Sequence, residues 1–220
     1  MMDFGQAFTF PFQDERWLVK LAVVGLILLI PVVGVVFITG WLILIARRVI
    51  RGQAQPLVGF EPFVEAIVLG LKYLVVSLVY LLPVFGVTLA VSLLTETMQS
   101  SSQPNFLLLC LTTCLGMLFL VYFVGLMYFL VAAAGVLADT ERLADAFELR
   151  RLWRHIRNAP AAHVLALLGV FVASLAASLG LVVCLVGGAF TTAYAVAVQG
   201  HLYGQAYKAG LQAPPRPLMS

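Results

Sequence analysis

Long apolar runs separated by short polar or cationic breaks dominate the chain. The first extends from Trp17 to Ala46, interrupted by Lys20 and by Pro31-Val32-Val33-Gly34. Runs over Lys72 to Leu94, Phe106 to Ala138, His163 to Val186 and Ala189 to Tyr207 follow. None alternates with a period of two, and each is well over ten residues, so the pattern predicts helices rather than barrel strands. The first run is too long for one upright span and short for two. Its flanks decide between them. Arg16 and Lys20 stand near its start, and Arg47, Arg48 and Arg51 follow its end. A single span would put these clusters on opposite faces; a hairpin turning at Pro31 to Gly34 puts both on one side. Two short or tilted helices are therefore expected, re-entrant or crossing.

The breaks predict the remaining elements. Met1 to Gln13, with Phe4, Phe8, Phe10 and Phe12, reads as a segment lying at the membrane surface, where Pro11 limits any helix. Gly52 to Gly70 is a connector in which Pro62 is placed to start a helix. Pro83 and Gly86 predict a kink in the run over Lys72 to Leu94. Thr95 to Asn105 is a polar loop without Lys or Arg. Asp139 to Asn158 reads as a cytoplasmic helix, capped by Asp139 or Thr140 and ended by Pro160. Leu149, Trp153 and Ile156 share a face there, beside arginines, which suits a surface-lying helix with snorkelling cations or one packed on the bundle. Gly187-Gly188 marks the final turn, and a flexible tail follows over 208–220.

Composition fits lipid better than water. The chain has 220 residues, 62% apolar and 10% charged. Soluble domains hold nearer a quarter charged residues, and a fold of this size could not hide so much apolar surface. The expected architecture is an all-α membrane protein: a single domain over 1–207, a bundle of about six membrane helices, and a cytoplasmic amphipathic helix. All thirteen Lys and Arg fall on the cytoplasmic side of this topology, with both termini inside. No cleavable signal is expected, since Asp14 and Glu15 precede an apolar stretch too long for one. No basic cluster interleaved with aromatics suggests nucleic acid. Cys110, Cys114 and Cys184 sit in apolar runs and read as small packing residues.

The run over Ala189 to Tyr207 is the least ordinary. Ala193, Ala197, Gly200 and Gly204 form a stripe of small residues, and Gly169, Ala173 and Gly180 form another on the preceding run. Such stripes let helices approach closely in lipid; these pack against each other or a partner. The same run carries Thr191, Tyr194, Gln199, His201 and Gln205, a candidate polar pocket near the cytoplasmic half, with interhelical hydrogen bonding as the alternative. Arg47, Arg48, Arg150, Arg151 and Arg154 are candidate contacts for anionic lipid headgroups, or simply orient the chain. Sequence spacing brings no metal ligands together, and no nucleophile motif, phosphate loop or intramembrane carboxylate pair is present, so neither cofactor nor catalysis is expected.

Several motifs together resemble an uncharacterised family of prokaryotic membrane proteins, a domain of unknown function. They are Asp3-Phe4 through Ala7-Phe8, Asp14-Glu15-Arg16-Trp17, Leu29 to Gly34, Ala46 to Gly52, Gly70-Leu71-Lys72 leading to Pro83, Ile156 to Pro160, and His201-Leu202-Tyr203-Gly204-Gln205. The resemblance spans nearly the whole chain. It implies a bacterial or archaeal cytoplasmic membrane, suggests Met2 as an alternative start, and carries over no catalytic residue. A more distant likeness in architecture is to the membrane portion attached to some glycerophosphodiesterases, without their soluble catalytic domain. The expected function is a non-catalytic scaffold or accessory subunit that binds membrane lipids, a membrane-protein complex or a second copy. The alternative is a small transporter or permeability factor using the polar last helix.

Overall fold

The computed structural model describes residues 3–55, 57–99, 106–183 and 185–213. Within them the chain is helical, with no strand among the described residues. The helices are α1 (Phe4–Thr9), α2 (Trp17–Leu28), α3 (Val33–Ile50), α4 (Phe63–Gln99), α5 (Phe106–Thr140), α6 (Leu143–Ala146), α7 (Leu149–Asn158), α8 (Pro160–Val183) and α9 (Leu185–Gln212), with a 3-10 turn at Phe10–Gln13. Four of them, over Val33–Ile50, Phe63–Glu96, Leu109–Thr140 and Pro160–Gly180, are long and apolar enough to cross a membrane. α2 is apolar but has only twelve residues. α9 has the length, but Thr, Gln, His and Tyr dilute its apolar character.

α3 and α9 form the centre. α3 is 67% buried along its apolar window, against 11% for α4, 17% for α5 and 28% for α8. Trp41, Ile43, Ile45 and Ala46 of α3 and Ala193, Ala197, Val198, Leu202 and Ala206 of α9 lose essentially all exposure. Large apolar residues on the outer helices stay exposed, among them Leu82, Phe85 and Leu89 on α4 and Met117, Leu118 and Val121 on α5. So much contiguous apolar surface demands an apolar surrounding.

Glycines set the closest approaches. A β-carbon on Gly40 of α3 would collide with the Ala66 carbonyl oxygen and stand 2.7 Å from Gly70 N on α4. One on Gly70 would collide with the Val36 carbonyl oxygen and stand 3.0 Å from Gly40 N. The two backbones therefore touch through paired glycines, which the sequence reading did not single out. α2 closes on α9 at Gly25, against the Ala189 backbone at 3.1 Å. α2 and α3 are joined through Leu29 to Val32, where Val32 takes a left-handed φ of 65°, and Gly34 packs onto the Leu28 backbone.

Several boundaries differ from expectation. The N-terminal segment packs one face on the bundle: Ala7 and Phe10 are buried, and only Phe12 of its four phenylalanines is strongly exposed. Asp3 caps α1 by accepting from Gln6 N at 2.9 Å. The expected helix over Asp139 to Asn158 is broken. α5 runs on through Thr140, Glu141 turns left-handed at φ 59°, and α6 and α7 follow, with Glu148 rather than Asp139 or Thr140 preceding α7. Thr140 Oγ1 is occupied instead by accepting from Arg142 N and donating to Val136 O. On α7, Leu152, His155 and Ile156 face inward, while Leu149 and Trp153 face out. Pro160 begins α8 rather than merely ending the helix before it.

The final turn is not at Gly187-Gly188, which lie inside α9. There the Gly187 carbonyl stands 2.8 Å from the β-carbon position of Gly180, so it is Gly180 whose missing side chain lets α8 and α9 approach. α9 continues to Gln212, which makes the start of the expected tail helical; residues 214–220 of that tail lie outside the described residues. Most of the polar loop, at 100–105, and Cys184 also lie outside them. Cys110 and Cys114 are exposed on α5 rather than packed inside. α4 passes through Pro83 without a break in helix.

Candidate functional site

Contacts gather Lys20, Arg47, Arg48, Arg51 and Lys72 at one end of the bundle. Lys20 Nζ pairs with Asp14 at 2.5 Å and donates to Leu57 O. Arg48 also donates to Leu57 O, at 3.3 Å. The neighbouring Val58 carbonyl accepts from Trp41 Nε1 at 2.9 Å, pinning the connector to α3. Asp14 is nearly buried, and burial alone would raise its carboxyl; hydrogen bonds from Lys20 and the Arg16 amide, with the charges of Lys20 and Arg48, more than offset this and hold it below its usual value.

Arg47 is the hub of this end. Its side chain is 8% exposed, forms a short hydrogen-bonded pair with Glu65 on α4, and donates to the Ala138 carbonyl on α5. Its Nη2 lies 3.3 Å from Glu141 as an ion pair without hydrogen-bond geometry. Lys72 Nζ donates to the Glu141 carbonyl at 2.8 Å. Arg47 thus ties three helices together, and its charge is not presented to lipid as expected. Arg48 is half-buried and partly used by backbone carbonyls. Arg151 pairs with Asp145 at 2.9 Å, while Arg150 and Arg154 are exposed on α7.

The small-residue stripes are consumed within the chain. Gly200 and Gly204 face α3, where β-carbons would stand 2.7 Å from the Leu42 and Ala46 carbonyl oxygens. Gly169 faces Leu202 and Gly180 faces Thr191, both on α9. Ala173, Ala193 and Ala197 are wholly buried. α9 is therefore clamped between α3 and α8.

Polar residues of α9 divide into two groups. Thr191 and Tyr194 are structural: Thr191 Oγ1 donates to Ala177 O of α8 at 3.1 Å, and Tyr194 Oη donates to Phe8 O at 2.8 Å. Gln199 is half-buried and lines neither the polar cavity around His201 nor the cleft beside α7. His201 and Gln205, by contrast, line an open polar cavity of about 380 Å³ between the N-terminal segment, the end of α3 and the end of α9. Phe10, stacked on His201 at 4.4 Å, is another of its apolar lining residues. Gln205 Nε2 lies 3.5 Å from His201 Nδ1, and Gln205 Oε1 is buried without a partner. Asp3, Gln6, Gln13, Gln53, Lys208 and Gln212 complete the polar wall. Asp3 and Lys208 were not among the candidates, because they stand more than two hundred positions apart and no local pattern joins them.

A second polar cleft, of about 370 Å³, lies where α7 meets the end of α9. Asp139 accepts from Tyr207 Oη at 3.0 Å, and the Tyr207 ring leans on His155 at 4.6 Å. Burial, then the charges of Arg151 and Arg154, push His155 down to about 4. Among the described residues, no group of three His, Cys, Asp or Glu side chains could hold a metal ion.

The family described as "Protein of unknown function (DUF4013)" matches residues 23–187, three quarters of the chain. The chain belongs to this family. No curated protein and no solved structure matches it. The DUF4013 match takes in α3 to α8 but leaves out α1 and nearly all of α9. The polar cavity is therefore built across its edges: Val49, Gly52, Gln53 and Ala54 lie within the match, whereas Asp3, His201, Gln205 and Lys208 lie outside it.

Proposed function

We propose that this chain is a non-catalytic integral membrane scaffold or accessory subunit that binds protein partners or lipids. The observation that carries this reading is the contrast between its two parts. An inner core of α3 and α9 is locked by glycine contacts and by Arg47, whereas the outer halves of α4 and α5 keep broad apolar faces exposed. On those halves, β-carbons at Gly86, Gly116 and Gly125 would meet nothing within 4 Å. A rigid core bearing long helices with open small-residue positions suits a component that meets other membrane helices or lipid.

The same reading places the chain in a prokaryotic cytoplasmic membrane with both termini inside. The gathering of cations at one end supports that orientation. It also counts α2 and α9 with the four longer helices as six membrane segments, α2 and α3 forming a short hairpin. Extraction into native nanodiscs followed by mass spectrometry of co-purifying components tests the function. A stoichiometric partner or a defined lipid is the expected result; a lone chain carrying neither would refute it. Labelling a cysteine placed at Val33 from outside the cell tests whether the hairpin crosses.

One observation favours a second reading, a small transporter or permeability factor. The polar cavity opens at the cationic end and reaches the buried His201. Beyond His201, α9 is closed by the buried Val198, Ala197 and Ala193, so transport requires α9 to move. Solute flux in proteoliposomes that is lost in His201→Ala with Gln205→Leu, at normal expression, would select this reading.

A further inference from the structure

The polar cavity has an unusual balance of charge. It contains one carboxylate, Asp3, and one ammonium, Lys208, and among the described residues neither takes part in an ion pair within 4 Å. Asp3 uses Oδ1 to cap α1, and its Oδ2 takes no hydrogen bond among the described residues. Lys208 Nζ stands over Gly52, whose left-handed φ of 70° turns the chain at the end of α3. Gln53, Gln205 and Gln212 line the same cavity as the two charges. Each carboxamide offers both donors and an acceptor, so none selects for charge sign. Gln205 Oε1 already lacks a donor.

We propose that this cavity binds a small zwitterion, its primary ammonium held by Asp3 and its oxyanion by Lys208. A simple anion would satisfy Lys208 but meet Asp3 with like charge, and a simple cation would do the reverse. Only a ligand carrying both charges satisfies both ends, and the carboxamides then bond whatever lies between. The volume of about 380 Å³ suits a molecule of amino-acid size. The same chemistry can come from two sources: a free amino acid, or the phosphoethanolamine headgroup of a lipid entering from the membrane side. The inference rests on the reading of this cavity as a ligand site, not on transport.

The test uses the full chain in nanodiscs of phosphatidylcholine, which supplies no primary ammonium. Calorimetric titration with L-alanine and with O-phosphoethanolamine is expected to show saturable binding of at least one. N-acetyl-L-alanine, which lacks the ammonium, and L-alaninamide, which lacks the oxyanion, should bind at least tenfold more weakly than L-alanine if the free amino acid is the source. If only O-phosphoethanolamine binds, the headgroup is the source, and nanodiscs containing phosphatidylethanolamine should compete with it. Asp3→Asn and Lys208→Gln should each weaken binding tenfold or more. Asn remains a good helix cap, so loss in Asp3→Asn with an unchanged melting temperature reports the charge rather than the fold. Saturable binding of neither probe, or binding that both variants leave intact, overturns the proposal. Proteoliposome flux of L-alanine is measured separately: binding without flux sinks the transport reading and leaves this one standing.

Discussion

Gly40→Ala offers the sharpest perturbation of the fold. A methyl group there would land on the Ala66 carbonyl and 2.7 Å from Gly70 N. All of these are backbone atoms of the facing helix, so no rotamer change can make room. α3 and α4 must separate, or one must slide along the other. Overpacking a dense interior costs about 1–3 kcal/mol, and the upper part of that range applies where only backbone can yield. Separation also strains the pair between Arg47 and Glu65, which bridges the same two helices. Gly86→Ala, further along α4, is the internal control, because nothing lies within 4 Å of its β-carbon position. There the better helix propensity of Ala should stabilise by up to about 1 kcal/mol. Both variants are compared with wild type by reversible unfolding in mixed micelles, followed by circular dichroism. Gly70→Ala and the double variant complete a cycle. The two single costs should not add, since one separation relieves both clashes. If Gly40→Ala unfolds within about 0.5 kcal/mol of wild type, or behaves like Gly86→Ala, the close crossing of α3 and α4 is refuted.

Further outcomes follow from other contacts. Removing both carboxylates around Arg47, in Glu65→Gln with Glu141→Gln, should destabilise the chain by about 3 kcal/mol, because a buried guanidinium loses its counter-charges; either change alone removes a half-exposed partner and should cost about 1 kcal/mol or less. A vesicle-binding assay with anionic lipid should show weaker binding for Arg150→Gln with Arg154→Gln and no comparable loss in a folded Arg47→Gln, and equal losses in both would contradict the burial of Arg47. Acid should weaken the fold in two stages. His155 has a folded value near 4 against 6.5 in the open chain, so below about pH 6.5 the unfolded state takes the proton first and stability falls until about pH 4, by about 1–3 kcal/mol in all. Asp14, whose folded value is depressed, stabilises above its ordinary value of 3.8 and loses that contribution as pH drops through its lower folded value. Melting curves of His155→Gln should therefore show a smaller first stage, part of which the buried His163 and His201 retain, and an unchanged second.

Much of the architecture follows from features visible in the chain. Pro62 immediately precedes α4, and its carbonyl accepts from Ala66 N at the first turn. The apolar runs after Lys72 and Phe106 coincide with two of the four long helices. Gly and Ala at helical spacing foretold that α9 would be tightly packed, but spacing cannot say against what: Gly200 and Gly204 serve α3 rather than α8. Gly187-Gly188 looks like a reversal for the same reason, since glycine tolerates a turn, yet both residues lie inside α9. Asp139 looked like a cap because it follows an apolar run; its carboxylate instead accepts from Tyr207, sixty-eight positions away. His201 and Gln205 stood out because polar groups are costly among apolar helices. Their companions Asp3 and Lys208 come from exposed or partly exposed ends of the chain, where a charge needs no special explanation.

The clamp on α9 also bears on the order of synthesis. The face of α3 that receives Gly200 and Gly204 leaves the ribosome long before they do, with about 160 positions intervening. Until then Leu42, Ile45 and Ala46 lack the α9 backbone on that side, and on α8 Gly180 lacks Thr191 while Gly169 has only Phe4 beside it. The nascent chain is thus an unfinished cradle through most of its translation, exposed to premature pairing with foreign helices and to proteolytic clearance. The arrival of α9 is the step that closes it, so a lesion at Gly200 should lower cellular abundance even where the finished protein would be active.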